Sequence, residues 1–184
     1  MKKWVGGLVS VSALLLSGGA MAQGYVSFAA GQSKFVDTCS GISSCDDTGT
    51  ALKVVGGYNI AEVFSLELGY LNFGKAKASA FGANAEASAS AVTLGGAFKA
   101  NFTPDFAVHA RLGIASVKTK VTTTSSFFNS SASETKAKAY YGLGLSYALS
   151  KEVAVEAGVD ASKAELQGAK NDVRAITVGA RFSF

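Results

Sequence analysis

The feature that most constrains this chain is a two-residue alternation in which one face is almost purely Leu, Val, Ile, Phe and Tyr. The other face carries Gly, Ala, Ser, Thr and nearly every mid-segment charge. Successive side chains of a strand point to opposite faces, so each such segment reads as a strand with one apolar side. Eight segments show it. Over about 24–33, Val26, Phe28 and Ala30 oppose Ser27, Ala29 and Gly31. Over about 51–58, Leu52, Val54 and Tyr58 oppose Lys53, Val55 and Gly57. Over about 64–73, Phe64, Leu66, Leu68 and Tyr70 oppose Ser65, Glu67 and Gly69. Over about 88–99, Val92, Leu94 and Phe98 oppose Thr93, Gly95, Ala97 and Lys99. The second half repeats the scheme around Leu112, Leu143, Val155 and Val178, against His109, Arg111, Gly142, Glu156, Asp160, Gly179 and Arg181. A soluble β-sandwich also alternates, but its charged face is the solvent face. Here the charges share a face with the smallest residues, which fits a lumen, while the apolar face fits lipid.

Each segment is near the ~9–11 residues that a tilted membrane strand needs. The connections at 59–63, 100–105 and 149–152 are short, and those after the first, third, fifth and seventh segments are long and polar. Short periplasmic turns and long external loops belong to outer-membrane barrels. The fold expected is all-β: an eight-stranded antiparallel up-and-down transmembrane β-barrel. Aromatics of the apolar face gather near the short turns: Tyr58, Phe64, Phe98, Phe106, Tyr147, Phe182 and Phe184. They make the girdle of a membrane boundary.

Residues 1–22 read as a cleaved secretory signal peptide, and 23–184 as the barrel domain. Met1-Lys2-Lys3 is basic, an apolar run reaches Leu14-Leu15-Leu16, and Ala20-x-Ala22 has the small-x-small form of a cleavage site. The apolar run is too short for a spanning helix. Localisation in the outer membrane of a Gram-negative bacterium follows. Removing Lys2 and Lys3 lowers the formal charge from +4 to +2 (4 − 2), which gives no ground for a nucleic-acid partner. Cys39 and Cys45 sit in one polar stretch, and an exported chain meets oxidising conditions, so a disulfide is expected. Unstrained, it contributes about 2 kcal/mol. Two thiols without a nearby His make a poor metal site, and no cofactor is expected.

Glu67-Leu-Gly-Tyr70, Tyr141-Gly-Leu-Gly-Leu-Ser-Tyr147 and the ending Val178-Gly-Ala-Arg-Phe-Ser-Phe184 resemble the OmpA-like transmembrane-domain family, within the broad group of NspA- and OmpX-type small barrels. The resemblance covers the whole chain after the signal peptide. It implies an interior ion-pair network, and it implies that Phe184, with Phe182, is read by the barrel-assembly machinery. It also brings a departure: some members add a peptidoglycan-holding domain, and with the sequence ending on the last strand no cell-wall tether is expected.

An eight-stranded barrel is only wide enough to be filled by side chains. Lys53, Glu67, Lys99, Arg111, Glu156, Asp160 and Arg181 all fall on the inward face. Isolated buried charges are costly, so Glu67 and Glu156 are expected to accept Lys99, Arg111 and Arg181 in a polar plug. An ion path that opens when pairs exchange is the alternative. His109, the only histidine, is expected to be a hydrogen-bonded lumen group rather than part of a lipid-modifying site. Lys118, Lys120, Lys136 and Lys138 flank the third long connection and are candidates for lipopolysaccharide phosphates; Phe127-Phe128 within it is a candidate contact for a host surface. The function expected is a monomeric, non-enzymatic surface protein with an envelope-integrity and adhesive role. A low-conductance porin is second, and a lipid-modifying enzyme a distant third.

Overall fold

The computed structural model describes residues 23–35, 45–80, 83–124, 129–166 and 169–184. Residues 1–22, expected to be a signal peptide, and Cys39, the side chain of Cys45, and Phe127-Phe128 lie outside what it describes. Among the described residues there are nine strands: β1 (Gly24–Phe35), β2 (Cys45–Asp46), β3 (Thr48–Ala61), β4 (Phe64–Ala80), β5 (Ala83–Asn101), β6 (Phe106–Thr124), β7 (Asn129–Ala148), β8 (Val153–Leu166) and β9 (Ala169–Ser183). Every ladder is antiparallel. Apart from β2, which adds only Cys45↔Ala78 and Asp46↔Lys77 to β4, each strand lies between its neighbours in sequence. The first strand pairs with the last, from Tyr25↔Ser183 to Phe35↔Val173, so eight strands close into an up-and-down barrel. Closure pairs the strand edges that would otherwise template aggregation. Gly24 and Phe184 complete the seam with two backbone hydrogen bonds of 3.1 and 2.9 Å.

The alternation in the sequence becomes the two walls of the barrel. Leu94, Ile114, Leu143 and Ile176 point outward with 64–65% of their surface open. An apolar belt this continuous requires lipid around it. At its lower rim Phe64 and Phe98 meet with tilted rings at 5.0 Å between ring centres, and Phe102 and Phe106 at 6.3 Å. The short turns are tied by Phe102 N–H donating to Phe106 O (2.9 Å) and by Ser150 Oγ accepting from Val153 N–H (3.1 Å).

The strands are longer than the apolar alternation predicts. β4, β5, β6 and β7 run for 17, 19, 19 and 20 residues. The connections read as long loops after the third and fifth segments are largely ladder: β4 and β5 pair to Ala80↔Ala83, and β6 and β7 to Thr124↔Asn129. Lipid imposes the apolar contrast only where it touches the wall. Beyond it both faces meet water, and Ala, Ser, Thr and Lys continue the hydrogen-bonded ladder without a pattern. This outward extension ends at an edge, because β7 pairs with β8 only from Tyr140↔Ser162 downward. Two register shifts interrupt the ladders of the described residues, one between Asn59 and Ala61 beside the short turn and one within the wall. Between Asn72 and Lys75, β4 carries one residue more than β5. Gly74 sits there at φ 69°, its N–H donating to Asn72 Oδ1 at 2.8 Å. A Cβ on Gly74 would lie 2.6 Å from Thr50 O, so both the conformation and the space call for glycine.

Candidate functional site in the barrel lumen

The inward side chains nearest the short turns assemble a compact ionic layer. Arg111, on β6, places Nε 3.0 Å from Glu67 Oε2 on β4 and Nη2 3.7 Å from Glu156 Oε2 on β8. Arg181, on β9, brings Nη2 to 2.6 Å from Glu156 Oε1 and lies 4.1 Å above the Tyr25 ring. That ion pair is close but poorly directed: neither Nη2 nor Nε of Arg181 has an aligned hydrogen-bond partner among the described residues. Tyr25 and Ser27 of β1 donate to Glu67 Oε1 (2.5 Å) and Glu156 Oε2 (2.8 Å). Lys53 forms a second pair, Nζ to Asp160 Oδ2 at 2.6 Å, and Tyr140 Oη donates to Asp160 Oδ1 at 2.5 Å. Three carboxylates thus face three cations, each at least nine-tenths buried, the arrangement in which buried charge is tolerated.

Small residues make the room. A Cβ on Gly57 would meet Tyr25 Cζ at 2.1 Å, and one on Gly142 would meet Asp160 Oδ1 at 2.7 Å. Glycine on these strands is therefore space for the network's side chains rather than a break in the sheet. Between the pairs, among Lys53, His109, Arg111 and Glu156, the free cavity is about 10 Å³, at the threshold for a single water.

Lys99 departs from the expected pairing. It has no ion pair among the described residues and instead lines, with Arg181, a vestibule of about 480 Å³ at the short-turn end. Its place near the end of β5 leaves it in reach of water, so Lys53 and Asp160 supply the third pair in its stead. His109 Nε2 lies 2.7 Å from Ser146 Oγ and 4.0 Å from Glu156 Oε1. Both approach the same ring nitrogen, so the imidazole cannot relay a proton between acid and hydroxyl as a catalytic triad does.

A second layer stands farther from the short turns on the same inward face. Phe35, Leu71, Phe73, Val117 and Val173 pack with Tyr140 and several alanines into a buried apolar cluster. Sequence reasoning missed it, along with Tyr25, Ser27 and Tyr140. The parity was present, since Leu71 and Phe73 continue the inward series of Glu67 and Gly69. Tyr140 joins the layers, its ring in the apolar cluster and its hydroxyl on Asp160.

The four lysines of the third connection separate. Lys118 and Lys120 share the outward face of β6, whereas Lys136 and Lys138 share the inward face of β7 with Tyr140, Lys136 being 3.0 Å from Glu134. Phe182 and Phe184 lie outward on and just after β9, 45% and 43% exposed, within the lower girdle.

The family model described as the OmpA-like transmembrane domain matches residues 20–184. Among solved structures, the Neisserial surface protein NspA is similar at a TM-score of 0.64 and 15% identity, covering 91% of this chain and 100% of that one. Ail of Yersinia pestis, in complex with the heparin analogue sucrose octasulfate, gives a TM-score of 0.53 at 16% identity, covering 87% and 99%. The N-terminal barrel of Pseudomonas aeruginosa OprF gives 0.53 at 16%, covering 88% and 98%. No curated protein matches the sequence.

Proposed function

Because this chain belongs to the OmpA-like transmembrane-domain family and forms an outer-membrane β-barrel, we propose that it is a non-enzymatic surface protein with a plugged lumen, supporting the envelope and presenting an adhesive outer extension. The observation that carries this reading is the pairing of Lys53, Arg111 and Arg181 with Asp160, Glu67 and Glu156 beneath an apolar layer. Two successive fillings of different chemistry, with each of the three buried cations facing a carboxylate, support a lumen closed to a permeating ion. The ladder of β6 and β7 beyond the apolar belt is a rigid support for recognition by the segment that joins the two strands in sequence. Ail, a barrel of the same fold, takes a heparin analogue, which supports an adhesive role here. Export through residues 1–22, a Cys39–Cys45 disulfide, handling by the assembly machinery through Phe182 and Phe184, and a monomeric state belong to the same reading.

One observation favours a small porin as the second reading: the vestibule lined by Lys99 and Arg181 brings space to the ionic layer from the short-turn end. Single-channel recording in a planar bilayer separates the two. The refolded barrel is expected to be silent, with folding confirmed by its heat-dependent gel shift. Discrete conductance steps that change in Glu67→Ala and Arg181→Ala would overturn the plug and make transport the function.

A further inference from the structure

The outer wall carries a second feature, built by the irregularity in β4. Outward residues of neighbouring strands form rows across the ladders. One row is Tyr70↔Val92↔Ser116 and the next is Asn72↔Ser90↔Lys118. With unbroken alternation the following row would begin at Gly74, and Lys75 would point into the lumen. The additional residue shifts the phase, so the row is Lys75↔Ser88↔Lys120, and Lys75 lies on the exterior, largely exposed. Re-aiming a side chain is a recurrent use of β-bulges. The result is a trough of about 850 Å³ on the outside of the barrel, with Lys75, Lys118 and Lys120 on its upper part and Leu52 and Tyr70 along its lower edge.

Among the described residues, only one of the three lysines in this trough is paired within the protein. Glu86 holds Lys75 at 2.8 Å. Lys118 and Lys120, both exposed, have no ion pair among the described residues. Around them stand Ser90 and Asn72, able to donate hydrogen bonds, and Ser88, whose hydroxyl donates to Lys120 O at 3.5 Å. Leu52 and Tyr70, 54% and 48% exposed, belong to the lipid-facing belt. Cations and hydroxyls one row above an aromatic at the belt's rim match a ligand with phosphate at one level and hydrocarbon below it.

We infer that this trough is a binding site for a phosphorylated glycolipid of the outer leaflet, with its phosphates on Lys118 and Lys120 and its acyl chains against Tyr70 and Leu52. The inference rests on the outward orientation of the long strands in the proposed function, but not on a plugged lumen. Continuity with the apolar belt selects a lipid over a soluble polyanion, because only a lipid uses both parts of the trough.

Native mass spectrometry of the full chain, purified in detergent, tests it with four probes: bisphosphorylated lipid A, its dephosphorylated form, inorganic phosphate and sucrose octasulfate. Lipid A is expected to bind and its dephosphorylated form to bind weakly. Lys118→Ala with Lys120→Ala is expected to weaken lipid A binding about 30-fold, at about 1 kcal/mol per lysine near a membrane surface. Lys136→Ala with Lys138→Ala, the same charge loss on the inward face, is expected to leave it unchanged. Equal loss in both double variants, or no lipid A binding by the parent, overturns the site. Inorganic phosphate or sucrose octasulfate bound as tightly as lipid A overturns the assignment to a lipid. Conductance recorded on the same preparations reports on the plug separately, so a conducting barrel that keeps its lysine-dependent lipid binding sinks only the plug.

Discussion

The lumen is filled twice, with charge nearer the short turns and with hydrocarbon beyond. Glu67, Arg111, Glu156 and Arg181 meet at defined atoms, and each depends on its neighbours for compensation. Phe35, Leu71, Phe73, Val117 and Val173 need only fit. The ionic layer should therefore fail abruptly when one member is lost, and the apolar layer gradually, in proportion to the volume removed.

The sharpest break is expected at Glu156, which faces both Arg111 and Arg181 and accepts from Ser27. Glu156→Ala leaves Arg181 without its carboxylate and Arg111 with Glu67 alone. The expected loss is about 4 kcal/mol in urea unfolding from detergent, within the range for breaking a buried pair. Replacing Lys53 and Asp160 together by Met and Leu removes a whole pair and should cost less than Asp160→Leu alone. A double variant worse than the single would show that this layer is held by something other than charge compensation.

In the apolar layer the largest effect is expected from Phe73, 1% exposed. Phe73→Ala should cost about 3 kcal/mol, and Phe73→Leu a fraction of that, because volume rather than identity is at stake. A loss of similar size in both variants would mean that the ring makes a directional contact, and the contrast between the layers would disappear.

The two layers were also unequally legible. Strand parity placed Glu67, Arg111, Glu156, Asp160 and Arg181 on one face, because lipid on the other side enforces a strict contrast. It left the partners open. Height in a barrel depends on tilt and shear, so Lys53 meets Asp160 across 107 residues while Lys99 opens into the vestibule. Phe73 obeys the same parity, but an apolar residue on the inward face reads in sequence as the end of a strand. The outward extension was hidden for a related reason: Ser, Thr, Ala and Lys on both faces leave no contrast to count. The irregularity at Gly74 left only an isolated glycine as its trace, and glycines recur throughout these strands.

The smallest effect is expected where the layers join. Tyr140 packs its ring among the apolar residues and donates to Asp160, which also holds Lys53. Tyr140→Phe keeps the packing and removes one hydrogen bond to a carboxylate that retains its cation. A loss of about 1.5 kcal/mol is expected, the lower end for a hydrogen bond to a charged group. If the layers are independent, this loss should add to that of Phe73→Ala within about 0.5 kcal/mol. A larger combined loss would mean that Tyr140 transmits packing into the ionic layer. The lumen would then be one cooperative plug, and the hydrocarbon above would set the geometry of the charges below.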